Sequence, residues 1–393
     1  TTDISNATYR VYAKPGFQPY DSPAPFSPGH LTPSSAQPAE VSRNAVTLDA
    51  VNTTASPNGW IDDGGTQTLG NNVEAHTDTN ADNAADLPRP TSATRNFDFA
   101  LDLTQAPSTY RDAAVTNLFY LCNFIHDQFY SLGFTESAGN FQPNNFGRGG
   151  TGNDAVQADA QDGSGTNNAN FNTPPDGSAG RMQMYGFPGP TPDRDGDFDH
   201  EIVIHEYVHG LSNRLVGGGA LINQLQTAGM GEGWSDFYAM CMLAQAGDDP
   251  DAAYAAGGYA TKDFFGLTQN YYYGIRRYPY STDMSKNPLT FKDIDPTQAS
   301  AHAGVPLSPI SSPPNVSSDE VHNQGEVWCA SLWEVRRNLV VKHGFATGNE
   351  LTLQLVTDAM KLCPVNPNFV QSRDAVVQAD LVLTGGANQD EIW

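Results

Sequence analysis

His205, Glu206 and His209 stand in the stretch HEYVHGLSNRL, which runs from His205 to Leu215. Residues i and i+4 of a helix project from one face a turn apart, so His205 and His209 can present two imidazole nitrogens to one point. A zinc ion accepts such a pair, and Glu206 is then directed beside the metal, where it can take a proton from a water held there. This is the H-E-x-x-H pattern of metallopeptidases. The competing reading is a polar turn of an ordinary helix whose other face, carrying the preceding EIVI, is buried. Two histidines leave a catalytic zinc one protein ligand short, and GMGEGWSDFYAM, residues 229–240, offers a carboxylate. Glu232 at the start of a second helix can complete the set. Asp236, four residues on and on the same face, can then accept a hydrogen bond from the outer nitrogen of a ligand imidazole and fix its tautomer. For Glu232 the alternative is a helix-start carboxylate favoured by the macrodipole alone.

The elements that must position these groups change character along the chain. Up to about Asn96 the sequence is rich in Pro, Gly, Ser, Thr and Asn, broken by short runs such as ATYRVYA and AVTLDAV that read as strands between loops. Ser108 to Gly133 has apolar residues at helical spacing, with no Pro or Gly before its last residue, and predicts a long, buried helix. Residues 134–200 return to Gly, Asn and Asp, with NNANFNT and GRMQMYGF as two strands of a hairpin or sheet edge. From Ile202 the pattern turns helical over 202–215, 232–247, 323–342, 349–362 and 371–383, around an irregular stretch from Tyr271 to Ser318.

Net charge is −24, from 20 Lys and Arg against 44 Asp and Glu, so phosphate backbones and anionic membranes are poor partners. No run approaches the roughly 20 apolar residues of a membrane span. Cys122, Cys241, Cys329 and Cys363 form no C-x-x-C pair, which argues against a cysteine zinc site and leaves disulfides or free buried thiols open. Sequons at Asn6, Asn52 and Asn315, low Lys and strong acidity fit a secreted glycoprotein, and a chain starting at Thr1 without Met reads as processed. Asp193 to Asp199, DRDGDFD, offers closely spaced carboxylates for a calcium ion, although a solvated loop explains them as well and the downstream Glu of an EF-hand is missing. His76 and His126 read as structural.

HEYVHGLSNRL followed by GMGEGWSDF resembles the fungalysins, secreted fungal zinc endopeptidases similar to thermolysin. The resemblance extends through YRVYAKPG, GNNVEAH, AVTNLFYLCNFIHDQFYSLGF, RRYPYSTDMSKNPLTF, VHNQGEVW and ADLVLTGG, and so covers nearly the whole chain. It implies an α+β, thermolysin-like fold: a β-rich N-terminal domain over 1–210 ending in the H-E-x-x-H helix, a mainly helical C-terminal domain over 211–393, and an active site in the cleft between them. It implies His205, His209 and Glu232 as zinc ligands and Glu206 as general base. By the same similarity, His322 hydrogen-bonds the developing oxyanion, the alternative being a helix-start histidine bonded to backbone. Arg277, or Arg276 beside it, grips a substrate carbonyl. Asn168 and Ala169 mark the edge strand against which an extended peptide adds. Thermolysin-like enzymes carry an oxyanion-binding tyrosine between the second His and the Glu ligand. Residues 210–231 hold none, which leaves Tyr278 or Tyr280 as substitutes. The resemblance also implies protein or peptide substrates, a preference for hydrophobic residues beside the scissile bond, an inhibitory N-terminal prodomain and a working monomer.

Two rivals stay open at this stage. A metallo-aminopeptidase shares the two-His-one-Glu set but needs an acidic anchor for a free amine, and a non-catalytic glycoprotein would close a structural zinc with a fourth protein ligand.

Overall fold

The computed structural model describes residues 6–26, 33, 36–62, 64–220, 224–249, 251–298, 302–309 and 317–393. The fold is α+β, made of helices and small sheets. Two compact units are distinguished, one of Thr1–Pro25, Pro38–Gly210 and Tyr259–Phe264, the other of Phe26–Gln37, Leu211–Gly258 and Phe265–Trp393. The sequon at Asn315 lies outside the described residues. Among the described residues no helix is long and apolar enough to cross a membrane.

In the first unit β1 (Ala7–Val11) pairs antiparallel with β2 (Asn44–Leu48). A second sheet begins at β3 (Val73–Thr77), and β4 (Asn96–Phe97) completes the first sheet in the order β2-β1-β4. Alternation along β1 buries Ala7, Tyr9 and Val11. Tyr9 stacks on Phe97 at 5.6 Å and meets Trp60 and Tyr120 at about the same spacing. Helix α1 (Arg111–Ser131) is apolar on nearly every side, and it packs on β1 and β3, as an all-round apolar helix must. Its one buried carboxylate, Asp127, is satisfied by the backbone N–H groups of Val51 and Asn52, the Ser56 hydroxyl and the Trp60 indole, which fastens residues 51–60 to the helix.

The second sheet continues with β5 (Val156–Ala160), β6 (Ala169–Asn172) and β7 (Arg181–Met184), in the order β3-β5-β7-β6. β3, β5 and β7 are parallel, and β6 joins β7 antiparallel at one edge. Ala75, Ala158 and Met182 form one row across the sheet on the side facing α1, where the Met182 sulfur lies 3.9 Å from that of Cys122. The neighbouring row, His76, Asp159 and Gln183, faces the other way. A ribbon of β8 (Gly186–Phe187) and β9 (Arg194–Asp195) leads into α2 (His200–Leu215). A Cβ at Gly210 would stand 2.8 Å from the rings of Phe141 and Phe171, so the bare glycine lets α2 lie close to the edge strand β6. Thr173, just past β6, reaches the His209 carbonyl at 3.5 Å.

The second unit is helical: α3 (Leu225–Leu243), α4 (Asn270–Tyr273), α5 (Val321–His343), α6 (Phe345–Leu362), α7 (Phe369–Thr384) and α8 (Gln389–Ile392). Helix α3 starts at Leu225, not at Glu232 as its glycines suggest. Those glycines are contact points with α5: a Cβ at Gly233 would meet the Gly325 carbonyl at 2.5 Å, and one at Gly325 would meet the Glu232 side chain at 2.6 Å. Packing against α5 repays the propensity that glycine costs a helix. All four cysteines are free and buried.

Candidate metal centre

Helix α2 carries the two histidines on one face, a turn apart, as their spacing dictates. Their Nε2 atoms converge to 3.1 Å and the rings stand 79° apart with centroids at 4.8 Å. His205 is 9% and Glu206 6% exposed, so both are held within the packed helix rather than on a solvated turn. Among the described residues two groups of three side chains bring ligand atoms within 4.8 Å of one another. One is His205, His209 and Glu232, and the other is Asp78, Asp159 and Asp162. Two imidazoles and a carboxylate suit a zinc ion and leave it an open position.

The start of α2 is fixed by groups that sequence reasoning assigned elsewhere. Asp199 accepts the Ile202 N–H at 3.3 Å as a cap and also takes the N–H groups of Tyr259 and Ala260 at 3.1 and 2.8 Å. Asp195 accepts from the Asp197 N–H and the Gln161 amide, and Asp197 from the Gln161 N–H. In the run Asp193–Asp199, which offered carboxylates for calcium, Asp195, Asp199 and one oxygen of Asp197 thus accept N–H groups of the chain itself, and the other Asp197 oxygen is buried without a hydrogen bond. Burial raises all three, Asp199 to about 6.

His200, the first residue of α2, is fully buried. Its Nδ1 donates to the Tyr20 carbonyl at 2.7 Å and its Nε2 lies 2.8 Å from the Asn117 amide. Burial lowers its pKa from 6.5 to about 4. Because the folded value is depressed, the unfolded chain binds the extra proton. Stability is whole above pH 6.5 and falls toward pH 4, by about 3 kcal/mol from this residue. Thermal melts across that range are expected to show a shallower acid loss in His200→Gln than in the parent, and parallel curves would contradict the assignment.

In the second unit, Glu232 and Asp236 lie on one face of α3. Asp236 takes a forked pair from Arg276, Nε at 2.6 and Nη2 at 2.8 Å, and the Tyr280 hydroxyl at 2.5 Å. The partner expected of Asp236 is a ligand imidazole; the partners seen are an arginine and a tyrosine. Arg277, expected to grip substrate, turns instead to α5: its Nε meets Glu326 at 3.0 Å and its Nη2 the Asn323 carbonyl at 2.6 Å. Its backbone N–H also goes to Glu326, so both arginines are buried in ion pairs, Arg277 with α5 and Arg276 with α3. Arg276 is the one whose charge is felt by Glu232. Of the two substitute tyrosines, Tyr280 spends its O–H on Asp236, whereas the Tyr278 hydroxyl accepts the His302 N–H at 3.4 Å, which leaves its own proton to donate.

His322 opens α5. Glu320 caps the helix, accepting the N–H groups of His322 and Asn323, and its other oxygen holds the His322 Nδ1 at 2.6 Å. Nε2 is then turned toward Glu232, 3.5 Å from its carboxylate. Burial pulls the imidazole pKa down, but the Glu320 hydrogen bond and the charges of Glu232 and Glu320 outweigh it, and the net shift is upward. Sequence reasoning missed Glu320, although an acid two residues before a helix-start histidine was a legible cap signal. Ala169 begins β6 at the sheet edge, and Asn168 is exposed just before it.

The family profile described as Fungalysin metallopeptidase (M36) matches residues 31–393. The chain belongs to the fungalysin family. It is 44% identical over 377 residues to the extracellular metalloproteinase mep of Aspergillus fumigatus, covering 91% of this chain and 55% of that protein. It is 43% identical over 386 residues to extracellular metalloproteinase 2 of Trichophyton rubrum, covering 93% and 56%. With extracellular metalloproteinase 1 of Trichophyton equinum it shares 43% over 380 residues, covering 91% and 57%. The chain thus spans about half the length of the curated relatives it matches.

Proposed function

We propose that this fungalysin chain is a secreted zinc endopeptidase that hydrolyses internal peptide bonds of extracellular proteins. The observation that carries the reading is the convergence of His205, His209 and Glu232 ligand atoms, with Glu206 set beside the first ligand on the same helix. A bound zinc supplies Lewis acidity, polarising a carbonyl and lowering the pKa of water. Glu206 takes the proton of the attacking water and returns it to the leaving amine. His322, its Nδ1 engaged by Glu320, donates through Nε2 to the oxyanion. Arg276, held by Asp236, replaces Arg277 as the arginine beside the substrate carbonyl, and Asp236 also orients a ligand imidazole.

The substrate lies extended along β6, whose outer edge at Ala169 has no strand partner within its sheet among the described residues. A preference for hydrophobic residues beside the scissile bond, an inhibitory prodomain and a working monomer complete the reading on the strength of the family. Export is supported by the names of the relatives, all extracellular metalloproteinases. Digestion of a protein mixture with and without 1,10-phenanthroline, with cut sites read by mass spectrometry, tests it. Internal cuts that vanish with the chelator are expected. Cuts confined to amino termini, or unaffected by chelator, would contradict it.

A further inference from the structure

The face of the second sheet turned away from α1 holds a group of acids that the peptidase reading does not use. Asp78, Asp159 and Asp162 bring carboxylate oxygens within 4.8 Å of one another, and all three are buried, Asp78 and Asp159 completely. The backbone builds this convergence. Asp159 on β5 is the direct cross-strand partner of His76 on β3. Asp78 follows His76 by two residues, on the same side of the chain as it leaves the strand. Asp162 leaves β5 with its N–H on the Met184 carbonyl at 2.9 Å, and the Gly163 N–H closes onto the Asp78 carbonyl at 2.8 Å. A Cβ at Gly163 would stand 2.2 Å from the Thr79 carbonyl, so only glycine lets the two loops approach this far.

Charge alone does not balance there. Among the described residues Arg181, bonded to Asp159, is the fixed cation paired with these acids, and the His76 ring stands against the same carboxylate. Asp78 is held by the N–H groups of Asp82 and Asn83, and Asp162 by Ser164 and the Gln183 amide, which are neutral donors. Three carboxylates with one guanidinium and a neutral imidazole leave an excess of two buried negative charges, a costly state without a counter-ion.

His76 supplies an independent sign of what balances them. It is 3% exposed, and neither ring nitrogen makes a hydrogen bond; nor does the Asp159 Oδ1, although Nε2 and Oδ1 stand 2.8 Å apart. Two ligand atoms at that spacing without hydrogen-bond alignment are placed like two neighbours in one coordination shell, where ligands at about 2.1–2.5 Å from an ion fall about 3 Å apart. The Nε2 atoms of His205 and His209, at 3.1 Å, show the same spacing.

We propose that His76, Asp78, Asp159 and Asp162 form a second metal site, taking a hard divalent cation, calcium or manganese. Carboxylate-dominated sets select such ions, and the single imidazole is compatible with manganese. The ion ties the loop after β3 and the loop after β5 to the sheet, and its role is structural. It also changes the reading of His76 from a packed core histidine to a ligand.

The test uses the Glu206→Gln chain, chosen to prevent self-digestion, stripped with EDTA and reloaded with one equivalent of zinc. Calorimetric titration with calcium and with manganese is expected to show one further equivalent of at least one of them, and saturation to raise Tm by roughly 5 °C. Asp159→Asn and, separately, Asp78→Asn are expected to lose that equivalent while keeping the zinc. No further equivalent in the unsubstituted site overturns the proposal, whether or not the variants fold. Undiminished uptake in both variants also overturns it, and a second ion that is zinc alone overturns the ion class.

Discussion

Glu206→Gln is expected to keep its zinc and to lose peptide hydrolysis by about 10³-fold or more. Glutamine preserves the volume of a side chain that is 6% exposed, and it leaves His205 and His209 on the same face of α2. Metal affinity therefore stays near the parent value, while the group that accepts and returns the proton is gone. Metal content by mass spectrometry and kcat on an internally quenched peptide separate the two effects. Loss of zinc and activity together would make Glu206 a structural residue. Retained activity would remove it from the chemistry.

The second large effect is on stability. Asp236→Ala is expected to cost about 3–5 kcal/mol in urea unfolding, because it strands the Arg276 guanidinium in a buried site where its forked partner stood. The Tyr280 hydroxyl loses its acceptor at the same time. Removing both charges with Asp236→Leu and Arg276→Met is expected to recover much of that loss, since a buried pair replaced by apolar groups of similar size is often near neutral. Activity does not recover in the double variant, as both side chains are assigned to the site. A single variant as stable as the parent would show that the pair is solvated.

The parts of this account that were legible in the sequence are those set by local periodicity. The i, i+4 spacing of His205 and His209, and of Glu232 and Asp236, survives whatever surrounds it, because one helix carries each pair. The long α1 and the hairpin of β6 and β7 were visible for the same reason, one in its unbroken apolar run and the other in short runs between turn formers. What escaped depends on partners distant in sequence. The glycines of GMGEG read as a loop, yet Gly229 and Gly233 are where α3 meets α5, so the helix begins seven residues before Glu232. Arg276 and Arg277 are adjacent and alike. Only the positions of Asp236 on α3 and Glu326 on α5 send them in different directions. The run Asp193–Asp199 reads by composition as a solvated or calcium-holding loop, and nothing in it shows that Asp195, Asp197 and Asp199 are buried and accept backbone N–H groups. The acids of the proposed second metal site, at positions 78, 159 and 162, share no motif at all, since the parallel pairing of β3 with β5 brings them together.

The central claim is that one zinc, held by His205, His209 and Glu232, cuts peptide bonds away from chain ends. The most direct test titrates zinc into the metal-stripped chain while it acts on a peptide blocked at both termini. Activity is predicted to be absent without metal, to rise with zinc and to level off once the three-residue site is filled, and Glu232→Ala is predicted to stay inactive at the same zinc level. Cleavage by the stripped chain, full activity in Glu232→Ala, or inertness toward the blocked peptide alongside turnover of one with a free amine would contradict it.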